Sequence, residues 1–561
     1  MPVLRPIAGN ALPALGAGLR RQLRAEWAGN PLHLWLLERP RAEGFAAIPL
    51  DPRPVSPRRG KQLLEGRFSL AGETLDTGRG GDPWDRPSPS RRFAEELHRF
   101  AWVPELVSLG EAGAREALRL TFLWERLFGR WNAFAWSGEL LDRRVYNLAC
   151  ASGAMAVATT EEEALALSLT LARHARQLFQ TPEPASRRGQ RLAAAAIAGA
   201  ALAGKAGEGI LNKALGRLAR ALDADVLPDG GHVTRSPEAG MQLLFDLRCL
   251  DDVLAQKGAT APAELGRAID RLTSGLRFLT LADGQLACFQ GGEAAATRIV
   301  AAARSHDDKA APPPPQMPHT GYQRLAGKAL SLIVDAGAPA AGPLSDAACA
   351  QPLAIEVLAG HERLISNAAW SPRAPGSQAM RLTDAGSTVA FGVSSAGRPL
   401  NGFAARQLGS RLVEGAGKVE AVRRQADHGD LLELAHDGWL KEFGVIHRRR
   451  LYLDAAADEL RGEDIFEAAG AAAGSPVAFA IHFHLYPGAT ASVARDSHSV
   501  LLRAPTQGGW WLRNDAPEVR VEPAVHFQNG RPVPTSQVVL RGHFRPSKGG
   551  RVRWKLAAAE V

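Results

Sequence analysis

The sequence predicts a multidomain protein in which a helical N-terminal domain is followed by an antiparallel β-sandwich. The chain of 561 residues is too long for one hydrophobic core, and 45% hydrophobic with 22% charged residues is an ordinary globular mixture. Apolar residues recur at three- and four-residue spacing over residues 93–310, then alternate in short runs over residues 316–561. The run APPPP at 311–315 separates the two patterns and marks the predicted boundary.

Residues 1–92 are predicted to be an irregular N-terminal segment with one short apolar helix. Within it, DTGRGGDPWDRPSPSRR (76–92) is turn and loop by its Gly, Pro, Ser and Asp content. Helical runs follow, of which EEEALALSLTLARHARQLF (161–179) is typical. Strand candidates such as VIHRRRLYLD (445–454) and VAFAIHFHLYP (477–487) fill the last 240 or so residues, and so many short strands with little helix signal favour a sandwich.

The overall charge is basic, with 67 Lys and Arg against 58 Asp and Glu and a formal net charge of +9. Such an excess favours polyanionic partners, but no nucleic-acid-binding motif accompanies it, so a nucleic-acid partner is not predicted. The four cysteines form no CxxC pair, which argues against a disulfide framework and a cysteine zinc site. The N-terminus lacks the apolar core of a secretory signal and no transmembrane segment is visible, so the sequence by itself predicts a cytoplasmic protein.

Four strings occur in an order that is known from one protein family. They are WNAFAWSGELLDRRVYNLA (131–149), ADVLPDGGHVTRSPEAGMQLLFDL (224–247), MPHTGYQRL (317–325) and HDGWLKEFGVIHRRRLYLDAAADELRGED (436–464). The set resembles the bacterial heparinase II/III-like polysaccharide lyases, including their LPDGGH stretch and their HRR motif. The resemblance implies an α/α toroid-like helical domain over 93–310, a β-sandwich over 316–561, and a periplasmic or cell-envelope location as the alternative to the cytoplasm.

The resemblance also implies a chemistry, the cleavage of acidic, glycosaminoglycan-like polysaccharides by β-elimination. A cationic or polar group must neutralise the uronate carboxylate, and a Tyr or His must accept the α-proton and protonate the leaving oxygen. Several positions that carry these groups in the family differ here. Gln190 and Arg191 stand where an Asn-His pair is expected, and Ala239 and Gly240 replace a Tyr-His pair. Three further positions of the sandwich differ as well, and they carry Cys349, Asn367 and Gly386.

A second set of polar residues provides the candidate site. The candidate catalytic residues are His232, Tyr322 and His436, and the candidate substrate-binding residues are Asn147, Arg191, Arg235 and Arg448. His482 and His484 alternate along one strand and therefore face the same side, where they could ligate zinc with His447. No cofactor other than this zinc is suggested.

Two functions remain open at this point. The chain is either a lyase acting on acidic polysaccharide with an unusual residue set, or a catalytically degenerate protein that binds an anionic glycan or serves as a scaffold. The sequence specifies neither the polysaccharide nor the oligomeric state.

Overall fold

The structure is a computed structural model that describes residues 11–559 except 183, 308–311, 375–377, 427, 471–473 and 507. The chain forms two compact units. The helical unit consists of Leu12–Val226 and Met241–Thr273, and the sheet unit contains Leu227–Gly240 and Ser274–Val561. Residues 308–311, where the predicted helical domain ends and the APPPP run begins, lie outside the described residues.

Helices dominate the chain before the sheets. In chain order, with one hairpin among them, the elements are α1 (Ala11–Ala28), α2 (Pro31–Leu37), α3 (Pro57–Leu64), β1 (Arg67–Leu70), β2 (Glu73–Asp76), α4 (Arg91–His98), α5 (Val103–Val107), α6 (Glu111–Phe128), α7 (Gly138–Val157), α8 (Glu161–Leu178), α9 (Arg188–Ala201), α10 (Gly204–Asp225), α11 (Pro237–Lys257), α12 (Ala263–Leu279) and α13 (Thr297–Arg304).

Local sequence explains several of these helices. Thr160 and Glu163 form a capping box at the start of α8, in which each side chain binds the other residue's backbone N–H. The alanine-rich helix α9 is buried from Gly189 to Ala201. Small residues allow α10 to approach it closely, since a Cβ at Gly199 would lie 2.5 Å from the backbone nitrogen of Leu211.

The N-terminal segment is more regular than the sequence predicted. One short helix was expected before residue 92, whereas the described part of this segment contains α1, α2, α3, the start of α4 and the β1–β2 hairpin. The expectation failed for α1 although its leucines recur at helical spacing, and in the structure these leucines are exposed and do not form a core-facing side.

Strands dominate the remainder of the chain. They are listed in order with two short helices: β3 (Gln316–Met317), β4 (Tyr322–Ala326), β5 (Leu330–Asp335), β6 (Ile355–Ala359), β7 (Glu362–Ser366), β8 (Val389–Phe391), β9 (Arg398–Pro399), α14 (Gly402–Leu408), β10 (Leu412–Val413), β11 (Val419–Ala426), β12 (Gly429–His436), α15 (Leu440–Phe443), β13 (Val445–Asp454), β14 (Glu459–Ala468), β15 (Val477–Leu485), β16 (Thr490–Val493), β17 (Ser499–Arg503), β18 (Gly509–Asn514), β19 (Glu518–Gln528), β20 (Arg531–Phe544) and β21 (Gly550–Ala558).

Two large antiparallel sheets pack on each other in the sheet unit. One has the strand order β11-β12-β13-β14-β21-β18-β17-β16, and the other has the order β19-β20-β15-β7-β6-β5-β4-β3, with β8 pairing β15. A single apolar core joins them, with Leu451 and Trp554 from the first sheet and Val357 and Phe483 from the second. The predicted order, helices and then an antiparallel β-sandwich, is therefore confirmed. Among the described residues, no helix is both long and apolar enough to cross a bilayer.

Candidate functional site

The DGGH string forms a tight loop that belongs to the sheet unit. Asp229 anchors this loop, because its carboxylate accepts hydrogen bonds from the backbone N–H groups of His319 and Thr320 at 2.7 Å each. It also accepts the Thr320 hydroxyl at 2.6 Å. Gly231 is required here by close approach, since a Cβ would lie 1.8 Å from the Thr320 hydroxyl oxygen. The string thus closes a loop against the start of the sandwich.

Arg235 follows in the same loop, in a left-handed backbone conformation with φ 65°. Its guanidinium donates to the carbonyl oxygens of Thr320 (2.6 Å), Gly321 (3.2 Å), Gly337 (3.0 Å) and Ala338 (3.0 Å), and it pairs with the Asp335 carboxylate. A guanidinium has five N–H donors, so these five acceptors use all of them. The predicted substrate-binding role of Arg235 is not supported, because no donor remains for a bound carboxylate.

Tyr322, the predicted proton-transfer residue, is fully buried beside Arg235. Its hydroxyl donates to the Arg235 carbonyl oxygen at 2.7 Å, and its ring lies 5.1 Å from the guanidinium carbon. Burial, with Asp335 nearby, raises the pKa of the phenol well above its usual value. To act as a base, Tyr322 would therefore have to lose its proton in a buried site and give up the hydrogen bond to the Arg235 carbonyl oxygen.

His232 is also buried, with 3% of its surface exposed. Its Nδ1 lies 2.7 Å from the Thr234 hydroxyl oxygen. Burial lowers the pKa of the imidazole to about 4, so the side chain is neutral near pH 7. The three sequence-predicted residues His232, Arg235 and Tyr322 are thus brought together, but in the interior of the sheet unit.

His436 belongs to a separate buried chain of polar groups. The Gly438 N–H donates to His436 Nδ1 (3.1 Å), His436 Nε2 lies 3.1 Å from His447 Nδ1, and His447 Nε2 lies 2.8 Å from Asp464. Because Nδ1 of His436 accepts a backbone proton, the consistent tautomers carry a proton on each Nε2 and donate towards Asp464. His447 and Asp464 are fully buried, and His436 is 2% exposed.

Arg449 neutralises the Asp464 carboxylate, at which this series of hydrogen bonds ends. Its Nε and Nη2 bind the two oxygens of Asp464 at 2.7 and 3.1 Å, and the Trp554 indole N–H donates to the same carboxylate at 3.0 Å. Although burial opposes ionisation, Arg449 and His447 lower the pKa of Asp464. Burial, together with His447 and Arg449, holds the pKa of His436 well below its ordinary value. Since His436 is buried and directed at His447, the predicted catalytic role of His436 is not supported.

The predicted zinc ligands are not assembled. His482 and His484 do share one side of β15, with ring centroids 6.0 Å apart, as their alternation predicted. His447 lies in the other sheet and has both ring nitrogens occupied by His436 and Asp464. Over the part of the chain that the structure describes, no group of three or more His, Cys, Asp or Glu side chains could hold a metal ion.

Other partners hold the β15 histidines. His482 Nδ1 lies 3.0 Å from the Gln537 amide oxygen, and His484 Nε2 lies 2.9 Å from the Asp384 carbonyl oxygen. Burial, with His482 adding to it, lowers the pKa of His484 to about 3. Both side chains therefore form hydrogen bonds that connect β15 to neighbouring segments, at Gln537 and Asp384.

Asn147 and Arg191 lie in the helical unit. The Asn147 amide donates to the carbonyl oxygens of Arg99 (3.0 Å) and Phe100 (3.3 Å), where the chain turns through a left-handed residue, Phe100. Arg191 is 2% exposed and donates to the Thr181 hydroxyl and to the Pro182 carbonyl oxygen. Both predicted substrate-binding residues are thus engaged in closing turns between helices.

Arg448 differs from the other candidates because it remains accessible. It points away from the sandwich core and pairs with Glu467 at 3.1 Å, with 33% and 50% of the two side chains exposed. It lines a shallow groove of about 540 Å³ with Arg450, Lys548 and Arg551.

The positions at which the chain departs from the lyase pattern are also internal. Asn367 donates to the Cys288 carbonyl oxygen and accepts the Ser387 N–H, while a Cβ at Gly386 would meet the Gln351 side chain at 2.8 Å. Burial raises the pKa of the Cys349 thiol to about 11. These side chains are neutral or enclosed, and they cannot supply a proton acceptor near pH 7.

A buried acidic pair was not predicted from the sequence. Glu238 and Glu293 both contact Arg373, at 2.5 and 3.6 Å, and burial raises the pKa of Glu238. Glu293 also accepts the Ser371 hydroxyl and the Gly530 N–H. No sequence signal could have found this group, because its members come from four distant segments of the chain.

Comparisons with known proteins agree with this fold. The sequence profile described as "Heparinase II/III-like, C-terminal" matches residues 309–555. FtsZ-localized protein C of Caulobacter vibrioides is 48% identical over 571 residues, covering 99% of each chain. The crystal structure of heparinase III matches with a TM-score of 0.72 at 12% identity, over 93% of this chain and 89% of that one. A heparan sulfate lyase from Pedobacter heparinus matches with a TM-score of 0.56 at 13% identity, over 99% and 91% of the two chains.

At this low identity, the similarity to the solved structures shows only that the fold is shared. That fold is an α/α toroid-like helical domain followed by a β-sandwich. The curated relative and the family profile add evidence from the sequence itself, along nearly the whole chain and over its sheets respectively. The chain belongs to the heparinase II/III-like family.

Proposed function

We propose that this chain is a non-catalytic member of the heparinase II/III-like family that acts as a scaffold and localises with FtsZ. The observation that carries the proposal is the occupation of the candidate catalytic side chains by structural bonds. Arg235 uses all five of its donors within the fold, Tyr322 donates to a carbonyl oxygen, and His436 donates towards His447.

The requirements of β-elimination support the same proposal. The reaction needs an accessible base with a pKa near the working pH and a free donor for the uronate carboxylate. Burial lowers the pKa of His232 to about 4, which makes it a weak base, and raises the pKa of Tyr322 well above its usual value. The alternative, a lyase that works through these residues, would have to break the fold around them.

The partner is inferred from the relative. FtsZ-localized protein C is named for its localisation with FtsZ, and its 48% identity extends over 99% of both chains. Identity at this level along the full length supports a shared partner more strongly than the 12–13% identity to heparinases supports a shared reaction.

Two assays on the purified full chain test the proposal. Incubation with heparin, heparan sulfate or alginate should give no increase in the ultraviolet absorbance of unsaturated uronate, with a heparinase as the positive control. Sedimentation of GTP-assembled FtsZ polymers should bring the chain into the pellet, and GDP should abolish this. Elimination activity with any of the polymers would refute the non-catalytic role, and absence from the FtsZ pellet would refute the proposed partner.

A second candidate function, attachment to the surface of an anionic membrane, is favoured by the exposed side of α1. Leu12, Leu15, Leu19, Leu23 and Trp27 follow one another at three- and four-residue spacing, and each is between 45% and 81% exposed. The stripe continues into α2, where Leu32, Trp35 and Leu36 are about half exposed. Contiguous apolar patches of this kind mark interaction sites.

The charge and the residue types of α1 support an anionic bilayer as the surface that covers this stripe. Arg20, Arg21 and Arg24 lie on the same helix beside the leucines. Tryptophan with leucine on one side and arginine on the other is the composition of helices that lie in the interface of anionic bilayers.

Vesicle flotation tests this attachment. The full chain should float with phosphatidylglycerol-rich vesicles but not with pure phosphatidylcholine vesicles. The double variant Leu15→Glu/Leu19→Glu should lose flotation, whereas the control Leu127→Glu/Val157→Glu, at exposed apolar positions on α6 and α7, should retain it. Equal flotation of the two variants would exclude α1 as the attachment site.

A further inference from the structure

The outer side of the eight-stranded sheet carries a dense group of cationic side chains that the candidate site does not use. On β13, β14, β21 and β18, alternate residues point away from the sandwich core. Seven of these are cationic, and they define the basic face: Arg448, Arg450, Arg461, Arg513, Arg551, Arg553 and Lys555. Glu433, Glu459, Glu463 and Glu467 form ion pairs with these cations, and Asp454 and Asp515 lie on the same side of the sheet. Two shallow grooves of about 590 and 540 Å³ run over this surface.

The strand register places three of the cations in a row. Arg461 lies opposite Lys555, and Lys555 lies opposite Arg513. Neighbouring strands are about 4.8 Å apart, so the row spans roughly 10 Å across the sheet. Glu459 contacts both Arg461 and Lys555 at 2.6 Å, whereas Arg513 has no ion pair among the described residues.

The adjacent row has two carboxylates for three arginines. Glu463 contacts the guanidinium groups of Arg450 (3.4 Å), Arg553 (3.2 Å) and Arg551 (3.8 Å), and Arg450 also pairs with Glu433 at 3.0 Å. Two carboxylates cannot form two-pronged pairs with three arginines at once, so donors on this face remain directed at solvent. The side chains are thus arranged to accept further carboxylates.

We infer that the basic face binds an acidic, extended peptide segment of a protein partner. This inference deepens, and rests on, the proposed scaffold function. A guanidinium group can bind the two oxygens of a carboxylate at once. A flat row of separated cations therefore suits a peptide with several carboxylates better than a single small ligand.

The aromatic residues of the face favour a peptide over a sugar chain. Tyr452 and Trp511 are aromatic residues of the basic face, and both are half-buried. Arg461 lies over the Tyr452 ring and Arg513 over the Trp511 ring, each with its guanidinium carbon 5.8 Å from the ring centroid. Because guanidinium groups cover them, these rings do not offer a free platform on which a sugar would stack.

Fluorescence anisotropy with a labelled oligo-glutamate peptide tests the inference on the full chain. The triple variant Arg461→Gln/Lys555→Gln/Arg513→Gln should bind the peptide about ten-fold or more weakly at low salt. The control triple Arg91→Gln/Arg115→Gln/Arg267→Gln removes the same charge from exposed ion pairs of the helical unit and should change the affinity less than two-fold or so. Equal losses in the two triples would overturn the inference, because binding would then follow net charge alone.

A gain of affinity provides a test that misfolding cannot imitate. Glu463→Gln removes the carboxylate that three arginines share, so it should strengthen peptide binding by about two-fold or more. Weaker or unchanged binding would contradict the proposed site.

Parallel titrations with heparin oligosaccharides and with phosphatidylglycerol vesicles identify the class of partner. Loss of heparin or vesicle binding in the basic-face triple, with unchanged peptide binding, would refute the peptide assignment. Failure here is distinguishable from failure of the proposed function, because sedimentation with FtsZ is measured separately on the unmodified chain.

Discussion

Replacing Asp464 by Asn tests whether the buried chain of histidines stabilises the sandwich. The Asp464 carboxylate is fully buried and accepts four hydrogen bonds, from His447, twice from Arg449 and from Trp554. An Asn of the same shape removes the negative charge and leaves the fully buried Arg449 guanidinium uncompensated. Removing one partner of a buried ion pair costs about 3–5 kcal/mol, so we expect a loss of that size in the free energy of unfolding.

Urea unfolding, followed by tryptophan fluorescence, measures this loss. The matched control is Glu467→Gln, which removes a carboxylate from the adjacent but exposed pair with Arg448 and should cost less than about 1 kcal/mol. If Asp464→Asn costs no more than Glu467→Gln, the buried network does not stabilise the fold.

Three further outcomes follow from the same structure. Arg235→Lys should lower the free energy of unfolding by about 3 kcal/mol or more, measured by thermal unfolding, because an ammonium cannot reach five acceptors around a buried Asp335. His232 has a folded-state pKa lowered to about 4, so its contribution to stability is complete above the unfolded pKa of about 6.5 and declines as the pH falls towards 4. His232→Gln should therefore weaken the acid dependence, by about 2 kcal/mol at about pH 5 in a urea titration. Gly199→Ala should destabilise the helical unit by about 1–3 kcal/mol in circular-dichroism melts, because the added Cβ meets the α10 backbone.

Periodicity predicted the order of the fold because helix and strand spacing are local properties. The alternation of His482 and His484 correctly placed both rings on one side of β15. The N-terminal segment was less predictable: the leucines of α1 recur at helical spacing but are exposed in the structure, so their spacing does not indicate burial.

The candidate site was less predictable than the fold, because it depends on pairings between distant strands. His447 was assigned to a zinc set with His482 and His484, although β13 and β15 belong to different sheets. Its actual partners, His436 and Asp464, are set by the register of β12 and β14 against β13. Residue spacing along the sequence does not specify that register. The protonation states of these groups could not be predicted either, because they depend on burial between the packed sheets.

The motifs that identify the family are those whose side chains build its fold. In the HRR string, His447 and Arg449 point into the sandwich and bind Asp464, while Arg448 points outward to the basic face. In the DGGH stretch, Asp229 closes the loop by accepting backbone N–H groups. The resemblance implies that the positions at which the chain departs from the lyases carry the elimination chemistry in those enzymes, whereas here Arg191 and Asn367 bind backbone groups of the fold. Under the proposed non-catalytic function, a heparinase-like core is retained while its reaction is lost, which requires that the groups that hold the core and the groups that perform the chemistry are different residues.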